Sequence, residues 1–129
     1  MATYSATGNN AIIAQVYRGM LLRLPDEGGF QYWLGQLNSG VSAVNVANAI
    51  FVSTEFSSQY GQIFTEQFVD FIYQNMLGRQ PDLTSFLYWV DQLKNQGKSR
   101  PAFVADLAYS AEATTVLAAR YPHGFTTLP

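Results

Sequence analysis

Two short elements of this chain combine residue types that could bind a ligand. The sequence Arg-x-Pro-Asp occurs twice, and its charged members are Arg23, Asp26, Arg79 and Asp82. In the structural interpretation, the proline breaks a helix and the aspartate caps the next one, while the arginine pairs with that aspartate or with terminal carbonyls. In the functional interpretation, the arginine and aspartate hold a sugar or a calcium ion. Calcium needs six or more oxygen ligands, so these residues alone give calcium little support.

The second element is a tyrosine–tryptophan pair followed by a glutamine. Tyr32 and Gln36 are four residues apart, as are Tyr88 and Gln92, so each pair shares one flank of a helix. An exposed aromatic ring beside an amide can stack on a sugar ring and hydrogen-bond to it, but the same pair also fits the flank of a well-packed helix. The adjacent tryptophans, Trp33 and Trp89, are predicted to be buried.

Residues for catalysis are scarce. The single histidine, His123, lies near the C-terminal end, which excludes a hydrolase triad and a histidine-ligated metal site within one chain. Glu55 and Glu112 stand at equivalent positions just after a serine, where helix capping accounts for them. Gly28 and Gly29 lack the residues of a phosphate-binding loop. With no cysteine for thiol chemistry, we expect no enzyme and no protein-bound metal.

The amino-acid composition indicates which classes of partner the chain could bind. Charged residues make up only 12 % of the chain and the net charge is −2, without a basic run that could bind nucleic acid. Such a weakly charged surface suits neutral partners such as sugars or other proteins. No apolar stretch is long enough for a membrane span. The first residues do not resemble a secretory signal peptide, so an exported form would leave by another route or be part of a longer chain.

The elements that position these residues are repeated. Tyr17, Arg23 and Trp33 return 56 residues later as Tyr73, Arg79 and Trp89. Self-similarity at this period indicates two copies of one helical unit that bury a face on each other. Apolar spacings of three and four residues predict an all-α domain of six to eight helices, which residues 1–129 form together. Repeat one is predicted at about residues 10–56, a connector at 57–65, repeat two at 66–113 and a tail at 114–129, of which 121–129 are expected to be loose.

Local signals predict where these helices begin. Asn9 or Asn10 is a candidate cap for the first helix. The remaining predicted caps are Asp26, Ser42, Ser53, Asp82, Ser99 and Ser110.

The pattern Arg-x-Pro-Asp, then Phe-x-Tyr-Trp, then Gln-Leu and a glycine resembles a bacterial tandem helical repeat domain of unknown function. That family occurs in S-layer proteins, in RTX proteins exported by type I secretion and in other surface proteins, and it is distantly similar to the phycobilisome linker domain. The resemblance implies an all-helical fold, an extracellular or cell-surface location without an N-terminal signal peptide, and a role in assembly or anchoring. It supplies no catalytic residues.

Two functions fit these residues best, and a small helical enzyme or lipid carrier is a third alternative that would need a large internal pocket. The first is a surface module that binds bacterial polysaccharide or anchors a larger protein to it, through a groove between the two repeats near Arg23, Tyr32, Gln36, Arg79, Tyr88 and Gln92. The second is a protein–protein assembly module, linker-like or self-associating as a homo-oligomer. Its candidate contact residues are Phe51, Phe64 and Phe125.

Overall fold

The computed structural model describes residues 2–129 and shows eight helices with one very short sheet. The first four helices are α1 (Gly8–Leu21), α2 (Glu27–Asn38), α3 (Ala43–Phe51) and α4 (Thr54–Tyr60). The second four are α5 (Thr65–Leu77), α6 (Leu83–Asn95), α7 (Arg100–Ala108) and α8 (Ala111–Arg120). The all-α prediction with two related halves is therefore confirmed. None of the described helices is both long and apolar enough to cross a membrane.

Helix starts follow the predicted capping residues closely. The Asp26 side chain accepts from the Gly29 amide, and Asp82 accepts from the Ser85 amide. The serines at positions 42, 53, 99 and 110 cap α3, α4, α7 and α8 in the same way. The first helix differs from its prediction, because its N-cap is Thr7, whose side chain makes no capping hydrogen bond. Asn9 and Asn10 lie inside the helix instead.

Equivalent helices of the two repeats pack on each other to form one core. Helix α1 packs against α5, and α3 packs against α7. Gly19 allows the close approach of α1 to α5, because a Cβ atom there would lie only 3.0 Å from the Cε atom of Met76. The Asn75 side chain donates to the Gly19 carbonyl at 3.0 Å across this contact. The two repeats thus share one continuous core rather than two separate ones.

The chain ends meet in a small antiparallel sheet that covers α2. Strand β1 (Thr3–Tyr4) pairs with β2 (Phe125–Thr126). The Leu128 amide donates to the Pro25 carbonyl and its carbonyl accepts from the Glu27 amide, both at 2.9 Å. The prediction of a loose tail is therefore wrong, because residues 125–126 form a strand, and residues 114–120 belong to α8. We call β1, β2 and residues 127–128 together the terminal hairpin, although its two strands come from opposite ends of the chain and are not joined by a turn.

Four side-chain exposures differ from the sequence-based expectations, and the first is that of Phe51, which is partly buried against the core. Phe125 is buried, since its ring packs against Phe30 of α2 with ring centres 5.7 Å apart, whereas Phe64 is 74 % exposed as expected. Trp33 and Trp89 are only partly buried at the edge of the core, because each lies on a helix that packs at the periphery of the domain.

Candidate functional site

The repeated arginines form bidentate ion pairs with glutamates of the last helix in each repeat. Arg23 donates to both carboxylate oxygens of Glu55 at 2.9 Å, and Arg79 donates to those of Glu112 at 2.7 and 2.8 Å. Hydrogen bonds from these guanidinium groups lower the pKa of Glu55 and of Glu112. Sequence reasoning placed both glutamates at helix starts but missed the pairs. Their recurrence together with the arginines at a nearly constant separation was the available signal.

The same arginines bind the segment between the first two helices of each repeat. Arg23 Nη1 donates to the Leu24 carbonyl at 3.0 Å, and Arg79 Nη1 donates to the Gln80 carbonyl at 2.9 Å. The predicted pairing with the aspartate is minor, since Arg23 Nη1 lies 3.9 Å from the Asp26 carboxylate. Each arginine therefore joins the interhelix turn to the last helix of its repeat.

Both aspartates of the repeated element are occupied as caps. Asp26 Oδ2 accepts from the Gly29 amide at 3.0 Å. Asp82 accepts from the Ser85 amide at 3.2 Å and from the Ser85 hydroxyl at 2.8 Å, and these hydrogen bonds lower the pKa of Asp82. In the described part of the chain, no cluster of three or more acidic or histidine side chains is arranged to hold a metal ion.

An aromatic layer lies beneath each arginine. The guanidinium carbons of Arg23 and Arg79 lie 5.5 Å from the ring centres of Tyr17 and Tyr73, which is within cation–π range. In repeat two, the Trp89 indole N–H donates to the Tyr73 hydroxyl at 3.0 Å. This hydrogen bond fixes the N–H edge of the partly buried Trp89 ring against the core.

Repeat two contains an open groove of about 440 Å³ beside this layer. Its aromatic wall is formed by Tyr73, Tyr88 and Trp89, and the rings of Tyr88 and Trp89 meet edge to face with centres 4.9 Å apart. Polar groups complete the lining, namely Arg79, Thr84, Ser85, Asp106, Ser110 and Glu112. Because Tyr88 is 53 % exposed, its ring is available to a ligand. We call this surface the repeat-two groove.

The charges around the repeat-two groove compensate one another. Arg79 is paired with Glu112, and Lys98 is paired with Asp106. The Lys98 ammonium also lies 5.9 Å from the Trp89 ring centre. The groove therefore offers an aromatic face with hydroxyl and carboxylate acceptors but little net charge.

The eight predicted site residues do not lie in one site, because four belong to each repeat. Arg79 and Tyr88 line the repeat-two groove, and Asp82 caps the neighbouring helix α6. Gln92 is on the same helix but does not line the groove. The other four, Arg23, Asp26, Tyr32 and Gln36, belong to repeat one.

The corresponding positions of repeat one carry smaller residues. Thr84, Ser85 and Asp106 of the groove are replaced there by Gly28, Gly29 and Ala49. Tyr32 is 59 % exposed and meets Trp33 edge to face at 4.9 Å, which reproduces the Tyr88 arrangement without those polar side chains.

A cleft between the repeats does exist, but other residues form it. It measures about 320 Å³, and its lining consists of Arg18, Leu22, Gln74, Asn75, Gly78 and Arg120. None of the eight predicted residues lines it. The prediction that an inter-repeat groove brings together Arg23, Tyr32, Gln36, Arg79, Tyr88 and Gln92 is therefore corrected.

Comparison with known proteins identifies a family. A family model described as a domain of unknown function, DUF4214, matches residues 1–56 and again residues 47–117. No curated protein and no solved structure matches the chain. The two tandem matches agree with the two helical repeats of the structure, and the chain therefore belongs to the DUF4214 family.

Proposed function

We propose that the chain is a non-enzymatic module that binds a bacterial surface polysaccharide through the repeat-two groove. The observation that carries this proposal is the exposed Tyr88 ring beside Trp89, with the polar side chains of Thr84, Ser85 and Ser110 in the same groove lining. An aromatic face stacks on the apolar face of a sugar ring, while hydroxyl and carboxylate groups hydrogen-bond its edge.

The low net charge of the groove favours a neutral sugar unit. Arg79, the cation in its lining, and the neighbouring Lys98 are already paired with carboxylates, so an added charge would have to displace an existing ion pair. The charges that could act in general acid–base catalysis are engaged in the same pairs, which supports a binding role over an enzymatic one.

The proposed setting is the cell surface or the extracellular space. The resemblance of the repeat to a domain that occurs in S-layer and type I-secreted proteins supports an exported protein. In that setting, the module would anchor a larger surface protein to polysaccharide.

The test is titration with surface polysaccharide from the source bacterium, monitored by calorimetry and tryptophan fluorescence. We expect saturable binding that Tyr88→Ala weakens about two- to tenfold, since one aromatic contact contributes roughly 0.5–1.5 kcal/mol. Tyr32→Ala is the matched control, because Tyr32 has a similar exposure and an equivalent aromatic neighbour but lacks the polar lining. Binding that survives Tyr88→Ala unchanged would refute the site, and no binding by a folded sample would refute the function.

Calcium can be tested in the same titration. We expect no calcium dependence, because Asp82 accepts hydrogen bonds from Ser85 and Glu112 is paired with Arg79. A requirement for calcium would show that one of these carboxylates serves as a ligand in the bound state.

The second candidate function is protein–protein assembly, and the exposed apolar face of helix α6 favours it. Leu83 and Leu87 lie one turn apart and are 70 % and 56 % exposed. In repeat one, the terminal hairpin covers the equivalent face of α2 through Glu27 and Gln31. Sedimentation at several concentrations tests this candidate. Self-association that Leu87→Gln abolishes would favour assembly, whereas a monomer at every concentration would count against a homo-oligomer.

A further inference from the structure

The cleft between the two repeats carries a concentration of positive charge that the repeat-two groove lacks. Arg18 enters it from the last turn of α1, and Arg120 enters it from the end of α8. Gln74 and Asn75 of α5 contribute amide side chains to its wall. We call this surface the arginine cleft.

Five of the seven Lys and Arg side chains interact with other groups of the protein that satisfy them. Arg23, Arg79, Lys94 and Lys98 each pair with a carboxylate. Arg100 donates to the Ile63 carbonyl and lies 4.9 Å from the Phe68 ring centre. The remaining two of the seven Lys and Arg residues both line the arginine cleft.

Neither arginine of the cleft has a carboxylate partner within 4.0 Å among the described residues. Arg18 donates to the Gln15 side-chain oxygen at 2.8 Å, and Arg120 donates to the Tyr121 hydroxyl at 3.3 Å. Both partners are neutral, so the two positive charges are not compensated locally. In a chain with nine acidic and seven basic side chains, this separation of charge is not a consequence of composition.

Burial disfavours the charged form of Arg18, which lies in this cleft. Partial burial is the main cause that lowers the pKa of Arg18; Tyr121 raises this pKa, and the charge of Arg120 lowers it. Like charges that are partly removed from water repel each other more strongly than they do in bulk solvent. A bound anion would relieve this repulsion and would replace part of the lost hydration.

Helix dipoles account for only part of the arrangement. A cation near the last turn of a helix is favourable, and both arginines occupy such positions. The dipole effect acts separately at each helix end and does not require the two side chains to line one cleft. Their convergence beside two amide side chains is the feature that indicates a ligand.

We propose that the arginine cleft binds an oxyanion, either a carboxylate or a phosphate group. Guanidinium groups present planar pairs of N–H donors that match both kinds of oxyanion. The exposed Gln74 amide can add a further donor. This site is separate from the repeat-two groove and does not depend on its function.

The probes are inorganic phosphate, glucuronate and, as the neutral counterpart, glucose. They distinguish free phosphate from an acidic sugar as the source of the anion. Calorimetry gives the affinity, and amide chemical shifts of Gln74, Asn75 and Gly78 report where the anion binds. The informative variant is Arg120→Gln, because Arg120 is exposed at the end of α8 and its loss should leave the fold intact.

Lys94→Gln is the matched control. It removes the same charge from an exposed site on α6, where Lys94 pairs with Glu66 and does not line the cleft. We expect Arg120→Gln to weaken anion binding about tenfold, as for loss of one charge-assisted hydrogen bond, and Lys94→Gln to have little effect.

The outcomes separate clearly. Binding of phosphate or glucuronate but not glucose, with shifts at the cleft and selective loss in Arg120→Gln, would establish the site. Failure of both anions to bind, shifts elsewhere, or equal weakening by Lys94→Gln would overturn it. Tyr88→Ala should leave anion binding unchanged, so a failure of the polysaccharide proposal would be visible separately.

Discussion

Helices α2 and α6 are equivalent in the two repeats but have different surroundings. The terminal hairpin covers α2, so Phe30 is fully buried against Tyr4 and Phe125 with ring centres 4.4 and 5.7 Å away. Nothing in the described chain covers the same face of α6, and its counterpart Phe86 is only partly buried. The sequence has changed where the hairpin makes contact, with Glu27 in place of Leu83.

Comparison of the two copies distinguishes residues that are the same in both from residues that differ. The arginine–glutamate pair, the capping aspartate and the tryptophan are the same in both copies, because each acts inside its own repeat. Some of the residues that differ lie where one copy meets the terminal hairpin or lines a groove, as Glu27 does in place of Leu83 and as Ser85 does in place of Gly29. Divergence at these positions coincides with contacts that only one copy makes.

The largest expected effect is the difference between Phe30→Ala and Phe86→Ala. Removing a fully buried phenylalanine typically costs about 3–5 kcal/mol, so Phe30→Ala should lower the unfolding free energy by that amount. Phe86→Ala should cost about half as much, since its ring is already partly in solvent. Urea denaturation measures both. Equal losses would show that the hairpin adds little to the burial of α2.

Most of the fold could be predicted because its signals are local. Ser53 and Asp82, for example, cap helices with their own side chains, and proline marks the break before α2. The terminal hairpin could not be predicted in this way, because Thr3 pairs with Thr126 from the opposite end of the chain. Two-residue strands carry too little alternation to be recognised.

The candidate sites were only partly predictable for a related reason. Tyr88 and Arg79 are recognisable as contact residues from their types, and both line the repeat-two groove. The arginine cleft depends on Arg18 and Arg120, which do not share a motif and meet only when α1 and α8 pack together. Burial of the tryptophans was overestimated, since helical spacing does not show how far from the centre a helix packs.

A second prediction concerns the residue that ends the first helix of each repeat. Leu22 has a left-handed backbone with φ of 57°, and Gly78 occupies the same position in repeat two with φ of 72°. Gly78→Leu should destabilise the protein by about 1–2 kcal/mol, the cost of that conformation for a residue with a Cβ atom.

The reciprocal change should act in the opposite direction. Leu22→Gly should stabilise by about 0.5–1 kcal/mol, because the relieved strain is partly offset by the greater freedom of glycine in the unfolded chain. Thermal unfolding of both variants checks the pair. Destabilisation by Leu22→Gly would mean that the half-exposed leucine side chain contributes more than its backbone strain costs.

A smaller effect is expected from the arginine–glutamate pairs. Their side chains are between 31 % and 45 % exposed, so solvent screens them, and each coupling energy should be about 0.5–1 kcal/mol. Double-mutant cycles with Arg23→Gln and Glu55→Gln, and with Arg79→Gln and Glu112→Gln, measure it. The coupling should fall with added salt and be larger in repeat one, where Arg23 is less exposed than Arg79. A larger coupling in repeat two would contradict that order.

The smallest effect on global stability is expected from acid, acting on the terminal hairpin alone. Hydrogen bonds from Thr127 and Tyr4 lower the pKa of Glu27 below its ordinary value of 4.5. Since the folded-state pKa is depressed, this stabilisation is complete above about pH 4.5 and is lost as the pH falls through the folded-state value.

Hydrogen-exchange protection of the Leu128 amide, which donates to the Pro25 carbonyl, measures this local opening. Protection should decrease in acid before the core amides of α5 lose theirs. Glu27→Gln should remove that pH dependence, whereas the control Glu66→Gln, on an exposed pair with Lys94, should retain it. If the Leu128 amide instead loses protection only together with the core, then the hairpin and α2 open as one unit. The covering of α2 would then be an integral part of repeat one, and the difference between the two copies would lie in the core itself.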